Sequence, residues 1–143
     1  MSRNIAIEML NQIPVQDQQI ELVERKCLGH PDSIADGIAE AVSRALCNTY
    51  IDQFGGVLHH NTDQGEIVAG ESMPTFGGGK IIKPIFVLLD GRATKEFNGE
   101  KIAADTVALK AAKDYLRSIL PELNLDQHLI MDCRLGTGST DLR

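Results

Sequence analysis

From Ile34 onward an apolar residue stands at every fourth position, Ile34, Ile38, Val42, Leu46 and Tyr50, with Ala41 and Ala45 beside that stripe. A helix turns once in about 3.6 residues, so this spacing collects the side chains on one face and predicts a long amphipathic helix with a buried side. Small residues at Ala35, Gly37 and Ala39 permit close packing against a sheet or a second helix. What precedes the stripe fixes where the helix begins. An apparent strand passes through a tight Gly29-His30-Pro31-Asp32 turn into the helix. Pro31 suits the first helical position, because its ring pre-sets φ and its missing N–H would be unpaired there anyway. His30 then falls at the N-cap, with Asp32 and Ser33 in the first turn. Backbone N–H groups lack partners at that end and the helix dipole favours negative charge, so the turn is a ready anion site. Gly29 removes a side chain where a bulky ligand would approach.

The 143 residues fit a single domain, and a chain of that size buries about 70% of the surface its unfolded form exposes. With 43% apolar residues it can build a core. A net charge of −6 without any Lys/Arg run argues against a nucleic-acid partner, which calls for a basic stripe or patch. Cys27, Cys47 and Cys133 are odd in number and widely spaced, suggesting neither a disulfide framework nor a metal knuckle. A reducing, cytoplasmic setting is the expectation. No apolar run approaches the ~20 residues of a membrane span, and no basic segment followed by an apolar one opens the chain, so no membrane partner is expected.

Elsewhere the pattern switches between periods of two and of three to four. Ile5, Ile7 and Met9 alternate with polar residues, and residues 18–25 read as a second strand. After Gly55-Gly56, residues 57–60 and 66–69 read as two strands of a hairpin around the polar link Asn61-Thr-Asp-Gln-Gly65. Pro74-Thr-Phe-Gly-Gly-Gly-Lys80 is too rich in glycine for helix or strand and reads as a mobile loop or a close backbone approach, a candidate gate. Ile81 to Leu89 reads as a strand broken or bulged at Pro84 and ended by Asp90-Gly91. A second helix is expected over 104–120, with Ala104, Ala108, Ala111, Tyr115 and Ile119 on its buried face and Pro121 stopping it. A last strand covers 129–133. The order β-β-α-β-β-β-α-β predicts an α+β domain, with two helices on one face of a mostly antiparallel or mixed sheet.

Three stretches carry candidate chemistry, each with a plainer reading. Gly29 to Asp32 brings an imidazole, a carboxylate, a bare backbone and a helix start to one point. A phosphate chain with Mg2+ uses all four, with Asp32 as an oxygen ligand of the metal; the same residues also make an ordinary well-capped helix. In His59-His60-Asn61-Thr62-Asp63-Gln64, alternation sends the two histidines to opposite faces and disfavours zinc. Asn61 and Asp63 could reach a cation or a nucleotide, or simply form a solvated turn. Gly136-Thr137-Gly138-Ser139-Thr140-Asp141 is similar to a phosphate- or ribose-contacting loop, but lacks the Gly-Lys-Ser/Thr of a P-loop.

Taken in order, residues 24–40, Leu58-His-His-Asn-Thr-Asp-Gln64, Phe76-Gly-Gly-Gly79, Gly91-Arg-Ala-Thr94 and residues 132–142 resemble the N-terminal part of an archaeal-type S-adenosylmethionine synthetase (methionine adenosyltransferase). The resemblance implies a homodimeric ATP:L-methionine adenosyltransferase of three similar α+β domains, with active sites shared between subunits. Methionine sulfur attacks ribose C5′ of ATP, and the triphosphate is expelled and cleaved to pyrophosphate and phosphate. Mg2+ is required and K+ often assists. It implies His30 as the catalytic histidine beside the leaving triphosphate and Asp32 as the Mg2+ ligand. Gly29, Asn61, Asp63, Gln64 and Gly136 to Asp141 complete the ATP-contacting set, with Phe76 to Gly79 as part of a cover. Ser33 stands where bacterial and eukaryotic relatives carry lysine, so that lysine's role does not transfer. On this reading residues 1–143 are the N-terminal domain of a longer chain and are inactive alone. The alternative is a non-catalytic nucleotide-binding or regulatory module of the same fold.

Overall fold

The computed structural model describes residues 4–138. Helix α1 (Pro31–Phe54) is followed by β1 (His60–Val68), β2 (Glu71–Thr75), β3 (Gly78–Lys83) and β4 (Ile85–Ala93). A short hairpin of β5 (Glu96–Phe97) and β6 (Glu100–Lys101) leads to α2 (Ala104–Ile119), the single turn α3 (Leu125–His128), β7 (Leu129–Cys133) and β8 (Gly136–Thr137). In the main sheet β1 lies antiparallel to β4, while β7 and then β8 run parallel along β4's other edge. A parallel return needs a crossover, and α2 supplies it. Both long helices cover one face of this mixed sheet, as an α+β domain requires.

The residues that predict α1 are the ones it buries: Ile34, Ile38, Val42, Leu46 and Tyr50. Between Ser33 and Tyr50 only every fourth residue, Asp36, Glu40, Arg44 and Asn48, is exposed, because α1 is flanked by both the sheet and α2. Gly55, in the left-handed region at φ 76°, ends it with its N–H bonded to Ile51 C=O. Gly37 carries the close approach to α2, since a Cβ there would lie 1.9 Å from the Tyr115 hydroxyl. Tyr115 is therefore laid across α1, which turns α2 relative to the expected face. The buried seam is Ala104, Ala108, Ala112 and Leu116, with Ala111, Tyr115 and Ile119 half-buried at its margin. At the far end of α1, burial pushes the Tyr50 phenol up to about 12, and its hydroxyl donates to Thr94 C=O at 3.0 Å.

Several expectations from the sequence are corrected. Residues 5–9 and 18–25 form no strand; Ile7 and Met9 are 92% and 98% exposed. Alternation marks a face that wants covering, but a strand also needs a ladder partner, and none stands beside them among the described residues. The supposed hairpin at 57–69 is one strand, β1. Its polar residues do not turn the chain, because Thr62 and Asp63 oppose the single residue Gly91 as a bulge and pairing with β4 resumes at Gln64. The glycine-rich stretch is no loose loop. Thr75 pairs with Gly78 and Pro74 with Gly79 across a Phe76-Gly77 turn, where Gly77 takes φ 79°. Pro84 does break the chain between β3 and β4, but β4 runs through Asp90-Gly91 to Ala93.

Candidate functional site

His30 caps α1 in extended conformation, with φ −68° and ψ 136°. Its N–H donates to Cys27 C=O and its C=O accepts from Ile34 N–H, both at 3.0 Å. Its Nδ1 accepts the Asp32 N–H at 3.2 Å. A ring nitrogen accepts only when it carries no proton, so capping places the imidazole proton on Nε2. That N–H, on the ring's far edge, has no hydrogen-bond partner among the described residues. The turn thus presents one side-chain donor together with the Ser33 amide, since Pro31 has no N–H and those of Asp32 and Ile34 are bonded to His30. Asp32 is ion-paired with Lys26 across the turn, both side chains more than half exposed. The hydrogen bond from Lys26, and then its charge, hold the Asp32 carboxyl below its ordinary value.

The pairing has a pH signature. A carboxyl held low stabilises the folded chain above its unfolded pKa, and that contribution is lost as acid carries the pH down through the lowered folded value. We expect Lys26→Met to move the Asp32 titration up toward that of a free carboxylate, followed by NMR. An unmoved midpoint would remove Lys26 as the cause.

The remaining candidate residues run from the middle of the sheet, where Gln64 lines a cavity with Ala35 and Ala39 of α1, to its far end at Gly136 and Gly138. In register, Asn61 stands beside Arg92 of β4, and Arg92 beside Gly136 of β8. Ala93 and Thr62 are buried toward the helices, so alternation puts this row on the sheet's open face. Gln64, opposite Asp90, follows on the same face. At the bulge Asp63 N–H donates to Asn61 Oδ1 at 3.2 Å. Gly138 is buried where a Cβ would come within 2.9 Å of the His59 ring. The His59 carbonyl is in turn clamped by Thr94, from its N–H at 3.1 Å and its hydroxyl at 2.9 Å. Ser139, Thr140 and Asp141 lie outside the described residues.

His60 belongs to the framework. Its Nδ1 faces Leu58 C=O at 2.9 Å, and that carbonyl can only accept, so Nδ1 carries the proton. Nε2 then accepts from the Ser43 hydroxyl at 3.0 Å, with Cys47 Sγ at 3.7 Å. The two histidines have different surroundings, as alternation expects, and no group of three or more metal-ligating side chains forms among the described residues.

The candidate set therefore falls into two clusters. His30 and Tyr50 are separated by most of α1, about 30 Å at 1.5 Å per residue. Tyr50 is bonded to Thr94, and Thr94 to His59, so the Gly136–Gly138 end lies at the far end of the helix from the His30 turn. Arg92 is a member of the second cluster that the sequence reading gave no role. The signal was available: an Arg one residue from a buried Ala on a strand must face the other side.

Residues 3–143 match the family model for S-adenosylmethionine synthetase (AdoMet synthetase). The chain is 98% identical over 143 residues to the S-adenosylmethionine synthase of Methanospirillum hungatei JF-1 and 71% identical to that of Methanoregula boonei. It is 62% identical to that of Methanosarcina mazei. All of the chain is covered in each case, and it spans 36% of each relative's length.

Proposed function

The chain belongs to the S-adenosylmethionine synthetase family, and from that premise we propose that it carries part of the ATP and Mg2+ site of an ATP:L-methionine adenosyltransferase. The observation that carries this reading is the His30 cap, which leaves an Nε2–H donor beside the ionised Asp32 at a helix N-terminus. In the transfer, a sulfur lone pair forms the bond to ribose C5′ while the C5′–O bond breaks. Its electron pair goes to the bridging oxygen of the triphosphate, which leaves intact before cleavage to pyrophosphate and phosphate. Negative charge grows on that oxygen, so donors already aimed at it lower the barrier more than they stabilise bound ATP. His30 Nε2–H and the free Ser33 amide are such donors.

Asp32 suits Mg2+, which commonly takes one or two protein carboxylates and fills the rest of its shell with phosphate oxygens and water. A lone exposed carboxylate is enough for that, and Lys26 can release it to the metal or turn to a phosphate. When bound, Mg2+ neutralises charge on the triphosphate. The separation of the two clusters favours a homodimer in which the His30 turn of one copy and the Asn61–Gly136 face of the other build one active site. No helix among the described residues is long and apolar enough to cross a membrane, and three unbridged cysteines suit a reducing cytoplasm.

The test is an NMR titration of the chain with ATP, with and without Mg2+. Amides of Gly29 to Ser33 are expected to shift, and to shift further with Mg2+. Amides there that ignore both would overturn the reading.

A further inference from the structure

We propose that Arg92 is a phosphate-binding residue of the nucleotide site, holding a phosphoryl group at the open-face cluster; this rests on the ATP reading above. Arg92 is exposed in the middle of the row Asn61–Arg92–Gly136, so its position is fixed by strands on both sides. Its stem runs beside Gly136: a Cβ on that glycine would lie 4.0 Å from Arg92 Cγ. With hydrogen alone at Gly136, an anion can reach the guanidinium and the β8 backbone together.

The guanidinium also keeps its charge available. Lys26, Lys95, Lys110, Lys113, Arg117 and Arg134 are each paired with an aspartate, while Arg25, Arg44, Lys80, Lys83 and Lys101 have no ion pair among the described residues and stand outside β1, β4 and β8. Arg92 has no ion pair among the described residues, although Asp90 lies two residues away on the same face. The Asp90 carboxylate instead accepts the Gly91 N–H at 2.7 Å through Oδ1. In a chain of net charge −6, a cation left open between two residues that the sequence reading makes candidates for ATP contact answers the need for a positive group at the nucleotide. Its planar fork can meet two phosphate oxygens at once, which a lysine at the same place would not do.

The experiment compares ATP with adenosine by calorimetry on the wild-type chain and on Arg92→Met, Arg92→Lys and His30→Asn. Arg92→Met is expected to weaken ATP by about 10–100-fold, the range for a hydrogen bond to a charged group, and to leave adenosine unchanged. Arg92→Lys should recover only part of the loss. Because the Arg92 side chain is exposed, both Arg92 variants should melt with the wild type. If His30→Asn weakens ATP while Arg92→Met binds it like the wild type, the Arg92 assignment falls and the ATP reading stands. If the wild type shows no preference for ATP over adenosine, the ATP reading itself fails, and the assignment with it.

Discussion

Gly91→Ala is expected to cost the fold about 3–4 kcal/mol, a large part of the ~5–15 kcal/mol that separates a typical domain from its unfolded chain. Gly91 holds φ 129° inside β4, a conformation that L side chains rarely adopt. A Cβ there would lie 2.2 Å from the Asn61 carbonyl oxygen and 3.3 Å from Thr62 Cα. Backbone strain of this kind costs about 1–3 kcal/mol and overpacking about as much again. Neither obstacle can swing aside, since both are main chain of the paired strand. Gly56→Ala is the control: nothing lies within 4 Å of its Cβ position and its φ is ordinary, so it should be neutral or slightly stabilising. Equilibrium urea unfolding of the two variants reads the difference. Equal midpoints would mean that β1 and β4 slide to make room, and that the bulge is not fixed.

The same bulge shows where the sequence stopped being legible. Helix α1 could be read to the residue, because its start, its buried stripe and its glycine stop are local signals that agree: Pro31 with His30, Ile34 to Tyr50, Gly55. The strand at Leu129–Cys133 follows from an equally local pattern, but its parallel pairing with β4 does not. The bulge is different, since Asn61, Asp63 and Gln64 have the polarity of a turn and become a strand only because β4 pairs with them on both sides of Gly91. Likewise Gly78 and Gly79 count against a strand by composition, yet the antiparallel partner Met73–Thr75 holds them in one. Pairing partners far along the chain decide such cases, and a linear pattern does not contain them. Alternation at Ile5, Ile7 and Met9 misled for the converse reason, having the pattern of a strand without a ladder.

The candidate site divides along the same line. The juxtaposition of His30 and Asp32 was readable because both sit within one turn, where helix-start geometry alone brings them together. That Asn61 and Gly136 share a row with Arg92 between them is a fact of sheet register, invisible until β4 is known to separate β1 from β8. Sequence order also gave no hint that Gly138 stands toward the far end of α1 from His30.

That division sets the largest effect expected on activity. In a chain of the relatives' full length, His30→Asn should lower turnover by about 10²–10³-fold, the usual loss when one preorganised donor is removed from a developing oxyanion. Asparagine is among the best N-caps, so its side chain can still accept the Asp32 N–H and hold the helix start, while the distal donor that Nε2 provided is gone. His30→Ala removes both, and should add a stability loss of about 1 kcal/mol. A fall in turnover confined to His30→Ala would therefore assign His30 to the helix and not to the reaction. The asparagine variant then tests the shared site. Mixed in equal amounts with an open-face variant such as Gly136→Val, under conditions where subunits exchange, each mixed dimer would hold one site with both defects and one with neither. About a quarter of all sites would be intact, since half the dimers are mixed and each is isologous about its two-fold axis. Activity rising in the mixture from two nearly inactive parents is the expected outcome. If each site were built within one copy, every site in the mixture would keep one defect and no activity would return.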